Sequence, residues 1–146
     1  MVVESATLEK VRARAGDANM PSLTVDNPAL EAQLDAVVAA NVGISMLLVS
    51  TGDGRAIAYR AQNALDPRRL SAMSNSFLTL GETLSRELGL STADYVTMST
   101  SQGCMVLVRV AADRPYTLAA LGYSDTSLAI VLYAARDAAA RIKPLL

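Results

Sequence analysis

The stretch Gly43-Ile44-Ser45-Met46-Leu47-Leu48-Val49-Ser50-Thr51-Gly52-Asp53-Gly54-Arg55-Ala56-Ile57-Ala58-Tyr59 decides the fold, because it reads as two strands around a tight turn. Ile44, Met46 and Leu48 would line one face of the first strand, and Leu47 and Val49 the other. A strand apolar on both faces sits centrally in a sheet that is covered on both sides. Its partner Arg55–Arg60 carries more charge and suits an edge. Gly52-Asp53-Gly54 supplies the positive φ that a short hairpin loop demands. A similar hairpin recurs downstream, Tyr95–Ser99 into Met105–Val110 across Thr100-Ser101-Gln102-Gly103. There Met105–Val108 reads as central, whereas Tyr95, Thr97 and Ser99 mark a more polar edge strand. Pro115–Leu121 reads as a fifth strand that Gly122 breaks.

Helical periodicity fills the gaps. Asn27 is a suitable N-cap with Pro28 at the first helical position, and Leu30, Leu34, Val37 and Val38 form one stripe before Asn41 and Gly43 end the helix. Asp66-Pro67 opens a second helix running to Leu88, where Gly89 followed by Leu90 fits a Schellman ending. Leu70, Met73, Phe77, Leu80, Leu84 and Leu88 form its large apolar stripe, expected to face the sheet. Beside it runs a stripe of small residues, Ser71, Ser74, Gly81 and Ser85, with Leu78 among them. Gly81 in mid-helix costs about 1 kcal/mol against alanine, so it is either simply tolerated or marks the close approach of another helix. Ser124 or Asp125 is expected to cap a third helix striped by Leu128, Val131, Leu132, Ala135, Ala139 and Ile142. Arg136, Arg141 and Lys143 favour its C-terminal dipole, and Pro144 closes it. The order is helix, two strands, helix, three strands, helix: an α+β sandwich over residues 27–146 with helices on both faces of an antiparallel sheet. Residues 1–26 read as a flexible tail, whose basic cluster Lys10, Arg12 and Arg14 is either solvated or a docking segment.

Composition narrows the function. A chain of 146 residues is long enough for one domain that buries ~70% of its unfolded surface. Half the residues are apolar and the mean hydropathy is +0.28, yet no stretch approaches the ~20 apolar residues of a membrane span. Glu4 arrives early and no apolar leader core follows, so no signal peptide is expected. A single cysteine, Cys104, forms no internal disulfide and agrees with a reducing, cytoplasmic setting. Net charge is −1 with both signs intermixed, and five Tyr and one Phe are too few for base-stacking platforms, which sets nucleic acid aside.

The chain has no histidine, so the commonest general base and metal ligand is missing. Cys104 opens an apolar strand and reads as a buried structural thiol, since no imidazole exists to activate it. Ser99, Thr100 and Ser101 would need a nearby lysine for Ser–Lys chemistry, but Lys10 and Lys143 lie near the ends. Gly52-Asp53-Gly54 lacks the G-x-x-x-x-G-K-[ST] frame and leads into a strand, so it is a turn and not a phosphate cradle. No catalytic residue, metal site or cofactor is expected. Glu82 with Arg86, and Asp137 with Arg141, stand four apart as helix-surface pairs.

This order of elements, with Gly43–Ser50, Gly52-Asp53-Gly54-Arg55-Ala56-Ile57-Ala58, the Leu70–Leu88 helix, the Tyr95–Val110 hairpin, Leu118-Ala119-Ala120-Leu121 and a terminal amphipathic helix, resembles the roadblock/dynein light chain domain family over about residues 27–143. The resemblance implies a roadblock/profilin-like sheet of order 2-1-5-4-3. It also implies a non-enzymatic homodimer whose sheets join edge to edge with the second helices side by side. Ser74, Leu78, Gly81 and Ser85 on the helix, with Tyr95, Thr97 and Ser99 on the third strand, would then form the dimer interface. Family members serve small Ras-like GTPases, which fits a chain lacking a P-loop of its own, and the paired helices form a main partner face. Carried over, that face holds Arg68, Asn75, Ser76, Thr79, Glu82 and Arg86. A rival reading is a sensory module of profilin/PAS-like architecture that holds a small ligand. It needs a pocket with several inward polar groups, where these strands carry Met, Leu and Val. An enzyme ranks last, since no acid–base pair of Asp, Glu or Tyr can be placed.

Overall fold

A computed structural model describes residues 27–146, so the expected tail over 1–26 lies outside the described residues. Helix α1 spans Pro28–Ala40, and Asn27 Oδ1 accepts the Leu30 N–H at 3.1 Å, the cap anticipated from Asn-Pro. Strands β1 (Ile44–Thr51) and β2 (Ala56–Ala61) follow as an antiparallel hairpin. Gly54 carries the positive φ of the turn, at 87°. The tip is tied by the Thr51 N–H to the Arg55 carbonyl at 2.8 Å and by the Gly54 N–H to the Thr51 carbonyl at 2.9 Å.

Helix α2 spans Pro67–Glu87, with Asp66 Oδ1 accepting from the Arg68 and Arg69 N–H groups at 3.1 and 3.4 Å. It ends in a full Schellman motif: Gly89 at φ 71° donates to Arg86, and Leu90 donates to Ser85, each at 3.0 Å. Strands β3 (Val96–Thr100) and β4 (Gly103–Ala111) form the second hairpin, with only Ser101 and Gln102 between them. Strand β5 (Pro115–Tyr123) continues through Gly122 instead of breaking there. A side chain at 122 would place its Cβ 2.4 Å from Val131 Cγ2, so this glycine lets the last helix lie close on the strand. That helix, α3 (Leu128–Ile142), is capped by Ser127, whose Oγ accepts the Ile130 N–H at 3.3 Å. The cap is neither Ser124 nor Asp125. The chain first makes a turn, Thr126 N–H to the Tyr123 carbonyl at 3.0 Å, and only then becomes helical.

The sheet order is β2-β1-β5-β4-β3, antiparallel throughout, as the resemblance implied. Helices α1 and α3 cover one face and α2 the other. The α1/α3 side holds the larger core: Leu30, Leu34, Leu47, Val106, Leu118 and Val131 are among its buried residues, and Cys104 lies buried within it. The α2 side is thinner, with Met46, Leu48, Ala56, Leu78, Leu107 and Ala119. Strands β1, β5 and β4 are central; β2 and β3 are the edges. Edge β2 is tied to α1 through Arg60, which reaches Asp35 at 2.6 Å and Glu31 at 3.3 Å. Those carboxylates raise the Arg60 pKa above its ordinary value, chiefly through the Asp35 hydrogen bond.

Candidate partner-binding face

Helix α2 sits on the sheet the other way round from the expectation. Its buried residues are Ser71, Ser74 and Leu78, the small stripe. Most of the large stripe looks outward: Met73, Leu80 and Leu84 are 58%, 66% and 57% exposed, Phe77 is 38% exposed, and Leu88 beyond the helix is 64% exposed, while Leu70 in the first turn packs partly buried against the sheet. The assignment of Ser74 and Leu78 to a dimer interface is thereby corrected, because both are spent against their own sheet. Gly81 belongs to the same contact. A Cβ there would fall 2.5 Å from Val96 Cγ2, so the close approach that this glycine permits is to strand β3 of its own fold. Ser85 is also used internally, its hydroxyl donating to the Ser91 carbonyl past the helix end.

A charge on the sheet faces this side of the helix. Arg109 of β4 projects under α2, and its Nη2 meets Glu82 Oε1 at 2.6 Å while Nε meets Oε2 at 3.3 Å. Nη1 donates to Thr117 Oγ1 of β5 at 2.8 Å and to Asn75 Oδ1 at 3.0 Å. Nη2 also reaches Thr79 Oγ1 at 3.4 Å, and Thr117 Oγ1 donates to Asn75 Oδ1 at 3.3 Å. Both charged side chains are about four-fifths buried, at 20% and 22% exposure. Asn75 and Glu82, expected on a partner-facing surface, are thus held partly buried by one guanidinium, while Thr79 stays exposed at its margin. Nor does Glu82 pair with Arg86, which lies near Thr83 Oγ1 at 3.5 Å, whereas the Asp137–Arg141 pair does form, at 3.1 Å. Arg109 escaped the sequence reading. The available signal was a lone cation in an otherwise apolar strand, a residue type rarely buried without a partner.

The rest of the expected partner face, Arg68, Ser76 and Arg86, remains on the exposed surface of α2. On strand β3, Val96 and Met98 face the α2 layer, because they pair with Leu107 and Met105 on β4. Met98 is 48% exposed and extends the apolar flank of the helix onto the sheet edge. Tyr95, Thr97 and Ser99 alternate to the opposite side. Tyr95 lies under Arg136 of α3, 5.7 Å from guanidinium to ring centre, and the Thr97 hydroxyl donates to the Met105 carbonyl at 2.9 Å. Among the described residues β3 pairs with β4 alone, and no described strand lies on its outer edge.

On the opposite face, a groove of about 630 Å³ lies between the end of α1 and the start of α3, lined by Val42, Tyr123, Asp125, Thr126, Ile130 and Tyr133 among others. It is a surface groove, not an interior pocket, since the layer beneath α1 and α3 is filled by core side chains. Among the described residues no three His, Cys, Asp or Glu side chains stand together as a metal site would need, and no helix is long and apolar enough to cross a membrane.

No family model matches the chain, and neither does any curated protein. Solved structures do match. A Roadblock/LC7 domain from Streptomyces avermitilis superposes with a TM-score of 0.70 at 12% identity, covering 79% of this chain and 95% of that one. MglB of Myxococcus xanthus gives 0.69 at 13% identity, over 80% and 86%. An MglB with a tetrameric arrangement gives 0.68 at 16% identity, over 85% and 96%. At such identities the likeness establishes the fold, which is that of the Roadblock/LC7 domains.

Proposed function

We propose that this Roadblock/LC7 fold serves as a non-enzymatic, cytoplasmic adaptor that pairs with a second copy of itself and docks a small Ras-like GTPase supplied by a separate chain. The observation that carries the reading is the juxtaposition of a β3 edge, which no strand among the described residues pairs, with the exposed flank Met73, Phe77, Leu80 and Leu84. A free strand edge and a contiguous apolar patch are each features that soluble proteins cover. A two-fold pairing covers both at once, strand against strand and helix against helix. Each large apolar side chain so buried contributes ~1.5–3 kcal/mol, and each counts twice across a symmetric interface. The interface residues are therefore Met73, Phe77, Leu80, Leu84 and Met98 with the β3 backbone, in place of the small stripe.

The polar flank of α2 would remain solvent-facing in such a pair, and there Arg68, Ser76 and Arg86 are the contacts assigned to the GTPase. Arginine is enriched among residues that dominate binding energy, and two copies of the flank would lie beside one another. The MglB structure with a tetrameric arrangement supports reading this chain as self-associating too. The chain carries neither the phosphate-binding loop of a nucleotide hydrolase nor an imidazole, which favours a regulator over a catalyst.

Chromatography with light scattering tests both halves. The chain alone should elute at twice its 15.3 kDa mass. With a candidate GTPase loaded with GTP or with GDP, co-elution should depend on the nucleotide. A single-copy mass at micromolar concentration sinks the first half; absence of co-elution in either nucleotide state sinks the second.

A further inference from the structure

We propose that Arg109 is a positioning residue for self-association: its grip on Glu82, Asn75 and Thr79 sets the rotation of α2 that turns Phe77 and Leu80 outward toward a second copy. The inference rests on the self-association reading above. Left to hydrophobicity alone, α2 would bury its large stripe, as amphipathic helices do. Glu82 and Leu80 point roughly 160° apart on the helix, so burying one of these faces exposes the other. Asn75, Thr79 and Glu82 recur at i, i+4 and i+7, and all three reach the same guanidinium. Rotating the large stripe inward would strand the Arg109 charge and the Thr117 hydroxyl beneath apolar side chains, a costly arrangement. A single cation on the sheet therefore selects the helix face.

A second observation agrees independently. The helix contacts β3 at Gly81, where any Cβ would run into Val96 Cγ2. The phase that points Glu82 at Arg109 is the same phase that places the side-chain-free position over the edge strand. Two unrelated contacts thus specify one rotation.

Arg109→Met keeps an unbranched side chain of similar reach and removes the charge and donors. The dimer dissociation constant is read by sedimentation velocity, and amide exchange is followed in α2 and in β1 and β5 of the full chain. The expected result is a dissociation constant at least tenfold higher, with faster exchange confined to α2; Arg109→Lys, with one donor point, should fall between. Unchanged dimer affinity alongside a lowered unfolding midpoint would overturn the proposal, since a merely structural residue behaves so. If Arg109→Met fails to fold, Glu82→Gln answers the same question: weaker pairing supports the proposal, wild-type pairing overturns it. A wild-type chain that is already a single subunit defeats the self-association reading itself, a distinct and separately visible failure.

Discussion

Arg109 of β4 and Glu82 of α2 are joined by two parallel hydrogen bonds, 2.6 Å from Nη2 to Oε1 and 3.3 Å from Nε to Oε2. The fork-to-fork geometry makes this a strong polar tie between the sheet and a helix that packs Leu78, fully buried, and Leu70, partly buried, against it. Hydrogen bonds to charged groups contribute ~1.5–3 kcal/mol each, comparable to the burial of one leucine. The outward display of apolar side chains on α2 follows from this tie, and so do several measurable consequences.

Leu80 lies at the centre of the exposed flank, at 66% exposure. Leu80→Asp should leave the protomer's fold intact and dissociate the pair. Losing ~1.5–3 kcal/mol in each copy amounts to a ~100-fold or greater rise in the dissociation constant. Sedimentation equilibrium gives the number, and unchanged association would remove this flank from the interface.

Gly81→Ala sets helix propensity against packing. Alanine gains about 1 kcal/mol in an open helix, but here the added methyl meets Val96 Cγ2 at 2.5 Å, and valine is stiff at χ1. The substitution should destabilise by ~1–3 kcal/mol, the range for overpacking. Combined with Val96→Ala, it should become neutral or stabilising relative to Val96→Ala alone. Urea unfolding of the four-member cycle reads the coupling, and additive effects would contradict the contact.

Ser50 Oγ and Ser71 Oγ are buried between β1 and α2 without a hydrogen-bond partner among the described residues. Ser71→Ala and Ser50→Ala therefore give up no protein hydrogen bond, and stability should hold or rise by up to ~1 kcal/mol. Thermal unfolding tests this. A loss larger than ~1 kcal/mol would mean that the hydroxyls are bridged to one another through a third group.

Asp53, at the tip of the first hairpin, has its pKa held below the ordinary 3.8, first by the Thr51 hydroxyl that donates to its carboxylate. The folded state thus prefers the ionised form. The contribution to stability is present above 3.8 and is lost as the pH falls below it toward the folded value. Thr51→Val should return Asp53 toward 3.8 in a carboxyl carbon NMR titration and remove that acid-side dependence. An Asp53 midpoint unmoved by the substitution would show that another group holds the charge.

The sequence by itself determined a great deal. Its alternations placed the three helices and five strands of the described residues, and the Asn-Pro, Asp-Pro and Gly-Leu boundaries fell where the chain turns, whereas the last helix begins later than Ser124 or Asp125, at the Ser127 cap. Local signals suffice there because caps, turns and the apolarity of β1 act within a few residues of themselves. What tertiary structure alone decided was the rotation of α2. Periodicity revealed a large stripe and a small one but could not say which of them meets the sheet, and the general rule that bulky apolar residues go inside pointed the wrong way. The deciding partner, Arg109, lies 27 residues from Glu82 along the chain and 34 from Asn75. Only when β4 is laid beneath α2 does a buried cation meet Glu82 and Asn75, and Phe77, Leu80 and Leu84 are left at the surface.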